Sequence, residues 1–483
     1  MLLSKLLKRK DLIDYSITSL EYNSKKVNSK SIFFAIKGKK DNGNNYINDC
    51  LIKGCRTIIT NDIEAYNKYK ENKYINIFYY TNINKKMAEI AKVFYKDISR
   101  KLYIIGITGT NGKTSTSTLI YKYLKSINIK STLIGTNGVY IDDEYYEEDN
   151  TTPNILDLYK YLYLSYVNNI KYVVMEVSSH AIKLNRVLGI KFKIKALTNI
   201  TLDHLDFHKN IENYKKTKLT WLKNDNYTEF IALNCLSRKI NFESKVNVFK
   251  NRFKKLKWEE ITIYKLNNCI NGTDFNVSLN KYGQYGNYHT NLIGDFNMQN
   301  ICLFISIIKC INKIDIYSLK SFFYKNIYID GRINIIREKN RYFVIDFAHT
   351  PDGVLNVLKL FNRFSNNIIS VCGCGGNRDK SKRPIMGNIL SEYSKYAIFT
   401  SDNPRDEEAN DIIDDMMLNV SKDNVLRIEN RIEAIKKAYE ISNNDDIILI
   451  LGKGNESKQY IKDKVINISD YDILNNILGE ENE

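Results

Sequence analysis

Eight short apolar runs constrain this chain more than any other feature. Four come first: YIIGI (Tyr103–Ile107), YVVMEV (Tyr172–Val177), KALTN (Lys195–Asn199) and FIALN (Phe230–Asn234). Four more follow: YFVIDF (Tyr342–Phe347), IISVCG (Ile368–Gly373), YAIFT (Tyr396–Thr400) and IILILG (Ile447–Gly452). Each is of strand length and mostly apolar, with helical patterns between several of them. A strand that is apolar on both faces is buried on both, as in parallel sheets covered by helices on either side. The fold class is therefore α/β. A chain of 483 residues exceeds one ordinary core, so two or three domains are expected, and the short runs SIFFAIKG (Ser31–Gly38) and RTIIT (Arg56–Thr60) mark a small one ahead of the two sets. Residues 1–98 form a small N-terminal α/β domain, 99–330 a central domain on a parallel sheet, and 331–483 a C-terminal Rossmann-like α/β domain.

In open α/β sheets, ligands sit beyond the carboxyl ends of the strands. The unusual residues fall there: Asp346 and His349, Gly373 to Arg378, Asp402 to Arg405, and Gly452 to Glu456. Proline sharpens the reading. Average usage near 5% would give about 24 prolines, and the chain has four: Pro153, Pro351, Pro384 and Pro404. A composition that has expelled proline elsewhere keeps it where its fixed φ is needed. Histidine behaves similarly, with His180, His204, His208 and His349 in unusual segments and only His289 incidental.

The net charge of +17 invites a nucleic-acid reading, but the lysines are scattered without a basic block. No nucleic-acid partner is expected; a basic chain also attracts small polyanions such as nucleotides. The longest apolar runs fall well short of the roughly 18 residues a membrane span needs, and the N-terminal MLLSKLLKRKDLID lacks the order of a signal peptide. The eight cysteines show no paired spacing, which points to reduced thiols and a cytoplasmic location.

GITGTNGKTST (Gly106–Thr116) follows a strand and opens a helical stretch, the context a phosphate loop requires. Gly109 and Gly112 let backbone N–H groups turn toward phosphate. Lys113 supplies charge and the Thr114 hydroxyl suits Mg²⁺. The spacing G-x-x-G-K-T is two residues shorter than the usual phosphate loop. Glu176, near the end of a strand, is suited to a further Mg²⁺ contact, since Mg²⁺ prefers oxygen ligands; alone it would read as a satisfied strand-end acid. TNITLDHLDFHKNIENYKKTK (Thr198–Lys218) carries two histidines and two aspartates, which leaves Mg²⁺ and phosphate roles open. Lys218 by itself reads as one more solvated lysine. LIGDFNMQN (Leu292–Asn300) holds Asn297 and Asn300, on one face if helical. Their amides could read a base edge or cap a helix equally well.

Taken together and in this order, GITGTNGKTST, NTTP, MEVSSHA, TNITLDHLDFH with ENYKKTK, GDFNMQN, DFAHTPD, GCGGNRDKSKRP, SDNPRDE and GKGNES resemble the Mur ligases. Within that family they are similar to the members that add the third peptide residue to the cell-wall precursor. The match runs over nearly the whole chain. It implies three domains, for a UDP-sugar, for ATP on a P-loop ATPase-like sheet, and for the incoming amino acid. The implied reaction joins UDP-N-acetylmuramoyl-L-alanyl-D-glutamate to an amino acid, with ATP going to ADP and phosphate in peptidoglycan precursor synthesis. The resemblance puts the whole loop Gly109, Thr110, Asn111, Gly112, Lys113, Thr114 and Ser115 on ATP, with Asn297, Asn300, Arg332, Asp346 and His349. It has Thr114 and Glu176 hold one Mg²⁺ and His204 a second, beside Lys218 carbamylated by carbon dioxide. Lys113, His204 and Lys218 become the catalytic set. Ser24, Thr151, Thr152, Ser178 and Arg186 are assigned to the UDP-sugar peptide, and a monomer is expected.

The added residue is argued from SDNPRDEE (Ser401–Glu408). A diaminopimelate presents a second amino-carboxylate at its far end, whereas lysine presents only an amine. Arg405 can pair bidentately with a distal carboxylate while Asp402 and Asn403 take the ammonium. The resemblance adds Arg378, Gly452 and Glu456 to this site. Lanthionine has almost the same ends, and L-lysine or another ligase of the superfamily stand as alternatives; from a different class, so does a basic P-loop ATPase binding nucleic acid. The segment is also a reasonable helix start. Departures from the family pattern gather near the N-terminus, as Asn23-Ser24-Lys25 and Asn42-Gly43. Others are Asn234-Cys235-Leu236, Asp330 before Gly331-Arg332, Phe347 for a tyrosine and Asn455 for a histidine.

Overall fold

The computed structural model describes residues 1–38, 41–223, 227–235, 243–250, 258–279, 283–313 and 315–480. Leu236 lies outside them. The chain folds into two compact units. One comprises Met1–Gly106, Lys130–Ile194 and Asp225–Thr228; the other comprises Ile107–Ile129, Lys195–Asn224 and Glu229–Glu483.

In the first unit, Ser19–Glu21, Ser31–Ala35, Thr57–Thr60 and Asn76–Tyr79 form a four-stranded sheet paired in parallel throughout. Phe33, Ala35, Ile47, Cys50 and Ile58 form its core. A second group of strands is mixed. Ser131–Gly135 runs parallel to Tyr172–Glu176 and antiparallel to Gly138–Ile141, which pairs antiparallel with Glu144–Tyr146.

The second unit holds the phosphate-loop helix Lys113–Ser126, the helix Asp295–Cys310, and a meander that was not expected. Phe230–Cys235, Glu243–Lys250, Trp258–Cys269, Gly272–Leu279 and Gly283–Thr290 pair antiparallel in succession. The central part is therefore built on mixed rather than wholly parallel pairing. Antiparallel strands need only one apolar face. In Gly272–Leu279, buried Phe275 and Val277 alternate with less buried Asp274, Asn276 and Ser278, so a search for wholly apolar runs passes over them.

The C-terminal sheet of the same unit agrees with its apolar runs. Its order is Asn334–Glu338, Arg341–Asp346, Ile447–Leu451, Ile368–Cys372, Tyr396–Phe399, Val425–Arg427, parallel except for the antiparallel first strand. Val344, Leu449 and Phe399 pack one face against helices Pro351–Phe361, Lys382–Tyr393 and Ala409–Met417. Ile345, Ile448 and Ile398 pack the other face against Arg431–Glu440 and Asp470–Glu480. Both faces are covered, which is why these strands are apolar throughout. Registers Asp346↔Leu451, Cys372↔Leu451 and Cys372↔Phe399 bring four carboxyl ends to one rim.

Two of the four prolines open helices. Pro351 takes the first helical position behind the Thr350 cap, and Pro384 lies in the first turn of Lys382–Tyr393, where proline costs no hydrogen bond.

Candidate functional site

The phosphate loop follows Tyr103–Thr108 and feeds directly into the helix Lys113–Ser126. Gly112 caps that helix at φ +81°, and a Cβ there would overlap the Asn300 Oδ1. Glycine is therefore required for both conformation and space. Asn111 is fixed from several sides. Its N–H donates to Asn199 Oδ1 (3.0 Å), its carbonyl accepts from Thr198 Oγ1 (2.6 Å), and its Nδ2 donates to Asp352 Oδ2 (3.1 Å). Thr110 Oγ1 lies 3.0 Å from the Tyr214 hydroxyl. Thr114 and Ser115 are buried.

Three cations converge on this loop. Lys113 Nζ donates to the Gly109 and Thr110 carbonyls at 3.0 and 2.8 Å. Lys218 Nζ donates to the same Gly109 carbonyl at 2.7 Å. Arg332 Nη2 donates to Thr114 Oγ1 at 3.1 Å. Lys218 is not the solvated lysine its composition suggests: it is 1% exposed. Burial first, and then Lys113, push its ammonium well below the ordinary lysine range.

Around these lie the other expected nucleotide residues. Asn297 and Asn300 sit on the helix Asp295–Cys310, with Asn297 Nδ2 donating to the Ile293 carbonyl at 2.8 Å and Thr116 Oγ1 donating to Asn300 Oδ1 at 3.5 Å. Arg332 stacks on Phe347, its guanidinium carbon 4.4 Å from the ring centre. Next to it, Ile333 takes φ +47°, a strained setting for a β-branched residue. The Asp346 carboxylate holds that turn, accepting from the Ile333 and Ala348 N–H groups at 2.8 Å each. Burial raises the Asp346 carboxyl, with Arg332 opposing. His349 Nδ1 lies 2.8 Å from the Phe347 carbonyl, so it donates there, a contact that by itself favours the charged ring. Burial first, and then the Lys382 ammonium, push that imidazole down to about 4.

His204 adopts φ +55° and pairs through Nε2 with Asp203 Oδ2 at 3.2 Å. Burial works to raise the Asp203 carboxyl, but His204, then His349, Lys382 and Lys113 hold it below its ordinary value.

At the rim of the C-terminal sheet the site has two ends of opposite sign. Arg405 and Arg378 lie side by side against Gly375. Arg405 is held at φ +55°: its N–H donates to the Tyr460 carbonyl at 2.9 Å and its Nη1 to the Gly376 carbonyl at 2.9 Å. Asp402, Asn403 and Glu456 form the acidic end. Asn403 Nδ2 donates to Glu456 Oε2 at 2.9 Å. Burial, and then Asp402, raise the Glu456 carboxyl. Gly452 takes φ +110°, and a Cβ there would stand 2.8 Å from Asp402 Oδ2. The helix after this segment begins at Ala409, so Ser401–Glu408 is a rim loop rather than a helix start.

In the first unit, Thr151, Thr152, Ser178 and Arg186 are brought together with Glu176. Thr152 Oγ1 donates to the Glu176 carbonyl at 2.8 Å and Arg186 Nη1 to the Thr152 carbonyl at 3.0 Å. Glu176 ends its strand and accepts from the Thr136 N–H at 3.0 Å, with Thr151 Oγ1 3.1 Å from Thr136 Oγ1. Ser178 caps the short helix Ser179–Lys183. Ser24 stands on a separate turn, Ser24–Lys26.

Several residues of these sites carry no signal in the sequence. Asp203 was one of two aspartates beside the histidines. Lys382 is hidden among the lysines of KSKRP. Lys453, fully buried, donates to the Lys458 carbonyl at 2.6 Å and lies 3.9 Å from Glu456. Gln459 Nε2 fixes Ser401 and Asp402 at 3.1 and 2.6 Å. Only the place of Lys453 beside Gly452 could have marked it.

Among the described residues, no cluster of three or more His, Cys, Asp or Glu side chains could hold a metal. None of the described helices is long and apolar enough to cross a membrane.

Residues 107–308 match the family description "Mur ligase middle domain" and 331–454 match "Mur ligase, glutamate ligase domain". The chain is similar to the UDP-N-acetylmuramoyl-L-alanyl-D-glutamate--2,6-diaminopimelate ligase of Clostridium tetani, at 37% identity over 97% of this chain and 96% of that one. It is 34% identical to the protein of the same name from Buchnera aphidicola, over 96% and 95%. Among solved structures it resembles a UDP-N-acetylmuramoyl-L-alanyl-D-glutamate--2,6-diaminopimelate ligase with TM-score 0.61 and 25% identity, over 100% of this chain and 99% of that one. The fold is shared with MurF of Acinetobacter baumannii, with TM-score 0.62 and 11% identity over 97% and 94%.

Proposed function

The chain belongs to the Mur ligase family, and from that premise we propose that it is an ATP-dependent ligase adding meso-diaminopimelate to UDP-N-acetylmuramoyl-L-alanyl-D-glutamate. The observation that carries the choice of amino acid is the two-signed rim, Arg378 and Arg405 beside Asp402, Asn403 and Glu456. Such a site pairs both groups of a distal amino-carboxylate, whereas lysine would leave two arginines facing no anion. The names of the similar proteins from Clostridium tetani and Buchnera aphidicola support the same substrate.

A carboxylate is a poor electrophile. Its oxygen first attacks the γ-phosphorus of ATP, the bond to the β-phosphate oxygen breaks, and ADP leaves. The amine then attacks the acyl carbon, and the carbon–oxygen bond to phosphate breaks. Catalysis is mostly positioning and charge neutralisation. Lys113 and Arg332, now spent on loop carbonyls and the Thr114 hydroxyl, turn to the phosphates. Asn297, Asn300, Asp346 and His349 complete the ATP site, the last two by holding the Arg332 turn and Phe347.

Thr114, Glu176, His204 and the carbamate of Lys218 are the residues that would hold Mg²⁺, which when bound would neutralise phosphate charge. The fit is chemical. The Thr114 hydroxyl already directs its oxygen at a cation, and Mg²⁺ takes much of its shell from phosphate and water. A buried amine of lowered basicity is the form that combines with carbon dioxide. Ser24, Thr151, Thr152, Ser178 and Arg186 take the UDP-sugar peptide. Residues 1–98, 99–330 and 331–483 serve the UDP-sugar, ATP and the amino acid in turn. We read the chain as a monomer working in the cytoplasm, in keeping with its free thiols.

The test offers the purified protein the UDP-sugar dipeptide, ATP and Mg²⁺ with meso-diaminopimelate, lanthionine, L-lysine or ornithine in parallel. Product with diaminopimelate in clear preference supports the reading. Preference for lysine overturns the amino acid, and ATP hydrolysis without any product overturns the ligase.

A further inference from the structure

Lys382 stands where a lysine is hard to justify by folding alone. It opens the helix Lys382–Tyr393, and a cation in the first turn opposes the helix dipole. The next residue holds the helix start in place. Arg383 is fully buried and donates to Glu407 at 2.9 Å and Asp415 at 2.8 Å. Lys382 takes no part in that network. Its Nζ donates to the His349 carbonyl at 2.9 Å, using one of its three N–H donors.

That contact sets its charge between the two halves of the reaction. On the nucleotide side it acts on Asp203 and His349. Asp203 also faces the His204 ring, with Oδ2 3.2 Å from Nε2. On the amino-acid side it acts on Cys372 and Cys374, two thiols that the Asp402 charge also reaches. Cys374 packs its sulfur 3.7 Å from Met386, one turn along the Lys382 helix. The same helix therefore touches the loop that follows Ile368–Cys372, which also carries Arg378.

We propose that Lys382 is a further catalytic cation of this ligase, contacting the phosphoryl group as it passes from ATP to the substrate carboxylate and again as phosphate leaves the acyl carbon. This rests on the ligase reading above. Lys113 serves the phosphates from the loop that binds ATP; Lys382 serves them from the element that also borders the amino acid. In the first step a carboxylate oxygen bonds to the γ-phosphorus and ADP departs. In the second the amine nitrogen bonds to the acyl carbon, its proton passes to solvent, and phosphate departs with the bridging oxygen. Negative charge sits on the same phosphoryl oxygens in both, so one ammonium can stabilise both.

The experiment compares full-length wild type, Lys382→Met and Lys382→Arg. It reads kcat, the KM for ATP and for the amino acid, and acyl phosphate trapped by borohydride when the amine is left out. Loss of one such donor lowers kcat by about 10²–10³-fold. The expected result is that loss in Lys382→Met, a matching fall in trapped acyl phosphate, an ATP KM within about threefold of wild type, and at least tenfold recovery in Lys382→Arg. If kcat of Lys382→Met stays within threefold of wild type, or if Lys382→Arg is as poor as Lys382→Met while still binding ADP normally, the assignment is wrong. If Lys382→Met does not fold, Lys382→Gln and Lys382→Arg carry the same comparison of neutral with charged. A wild type that makes no product indicts the ligase reading instead, before any variant is compared.

Discussion

Replacing Arg405 by alanine removes the one guanidinium, among the described residues, whose backbone the fold strains to place. The residue sits at φ +55°, an arrangement that costs about 1–3 kcal/mol for a non-glycine residue. It is stapled there by the Tyr460 carbonyl on one side and the Lys462 N–H on the other. Its Nη1 is partly spent on the Gly376 and Asn403 carbonyls at 2.9 and 3.3 Å, which leaves Nε and Nη2 as the donors for a carboxylate. A charged bidentate contact to a carboxylate is worth about 2–3 kcal/mol, which converts to a loss of about 30- to 150-fold in kcat/KM for diaminopimelate. The ATP KM should hold, because the nucleotide residues lie on other strand ends. Lysine, which has no distal carboxylate, should lose little, so the preference for diaminopimelate narrows by the same factor. Phosphate release coupled to ligation, measured with each amino acid in turn, gives all three constants. Unchanged kinetics with diaminopimelate, or equal losses for diaminopimelate and lysine, would refute the pairing of Arg405 with the distal carboxylate.

Gly452→Ala should raise the KM for diaminopimelate and spare that for ATP, because its Cβ would press on Asp402 Oδ2 from 2.8 Å at a φ of +110°; equal rises in both would refute it. Lys113→Ala should abolish ATP-dependent ligation, and retained turnover in a kinetic assay would mean the phosphate loop is misassigned. Asp470→Ala leaves Arg431 fully buried without the carboxylate it meets at 2.7 Å, at a cost of about 3–5 kcal/mol in denaturant unfolding; a loss below 1 kcal/mol would show the pair is not structural. His349 titrates near 4 in the folded state against about 6.5 unfolded. The unfolded chain therefore binds the extra proton between those values, and stability falls as pH drops from about 6.5 to 4, by up to about 3 kcal/mol. His349→Gln should flatten that stretch of the stability curve, and an unaltered slope would contradict it.

The C-terminal half of the fold was legible because its strands are buried on both faces. IILILG and IISVCG can be little else than central parallel strands, and the odd residues at their ends do share a rim. Beyond its first strand, marked by FIALN, the meander at 230–290 was not legible, since one-sided strands dilute their apolar residues with asparagine, lysine and threonine. Site residues divided along a similar line. Glycine and proline stand out in this composition, so Gly112, Gly452 and Pro404 marked their loops. Lysine does not stand out, so nothing separated Lys218, buried against the Gly109 carbonyl, from its solvated neighbours Lys215 and Lys216. Lys382 and Gln459 act through contacts between segments distant in sequence, which no local pattern records. The helix start expected within SDNPRDEE moved to Ala409, because Asn403 Oδ1 accepts from the Tyr460 N–H and the Arg405 N–H donates to the Tyr460 carbonyl instead.

The central claim is that ATP activates a substrate carboxylate rather than being hydrolysed by water. It is tested most directly with UDP-N-acetylmuramoyl-L-alanyl-D-glutamate carrying ¹⁸O in the D-glutamate side-chain carboxylate, incubated with the protein, ATP, Mg²⁺ and meso-diaminopimelate. The account predicts one ¹⁸O atom in each phosphate released, in step with tripeptide product. Unlabelled phosphate, or phosphate released without product, would contradict it.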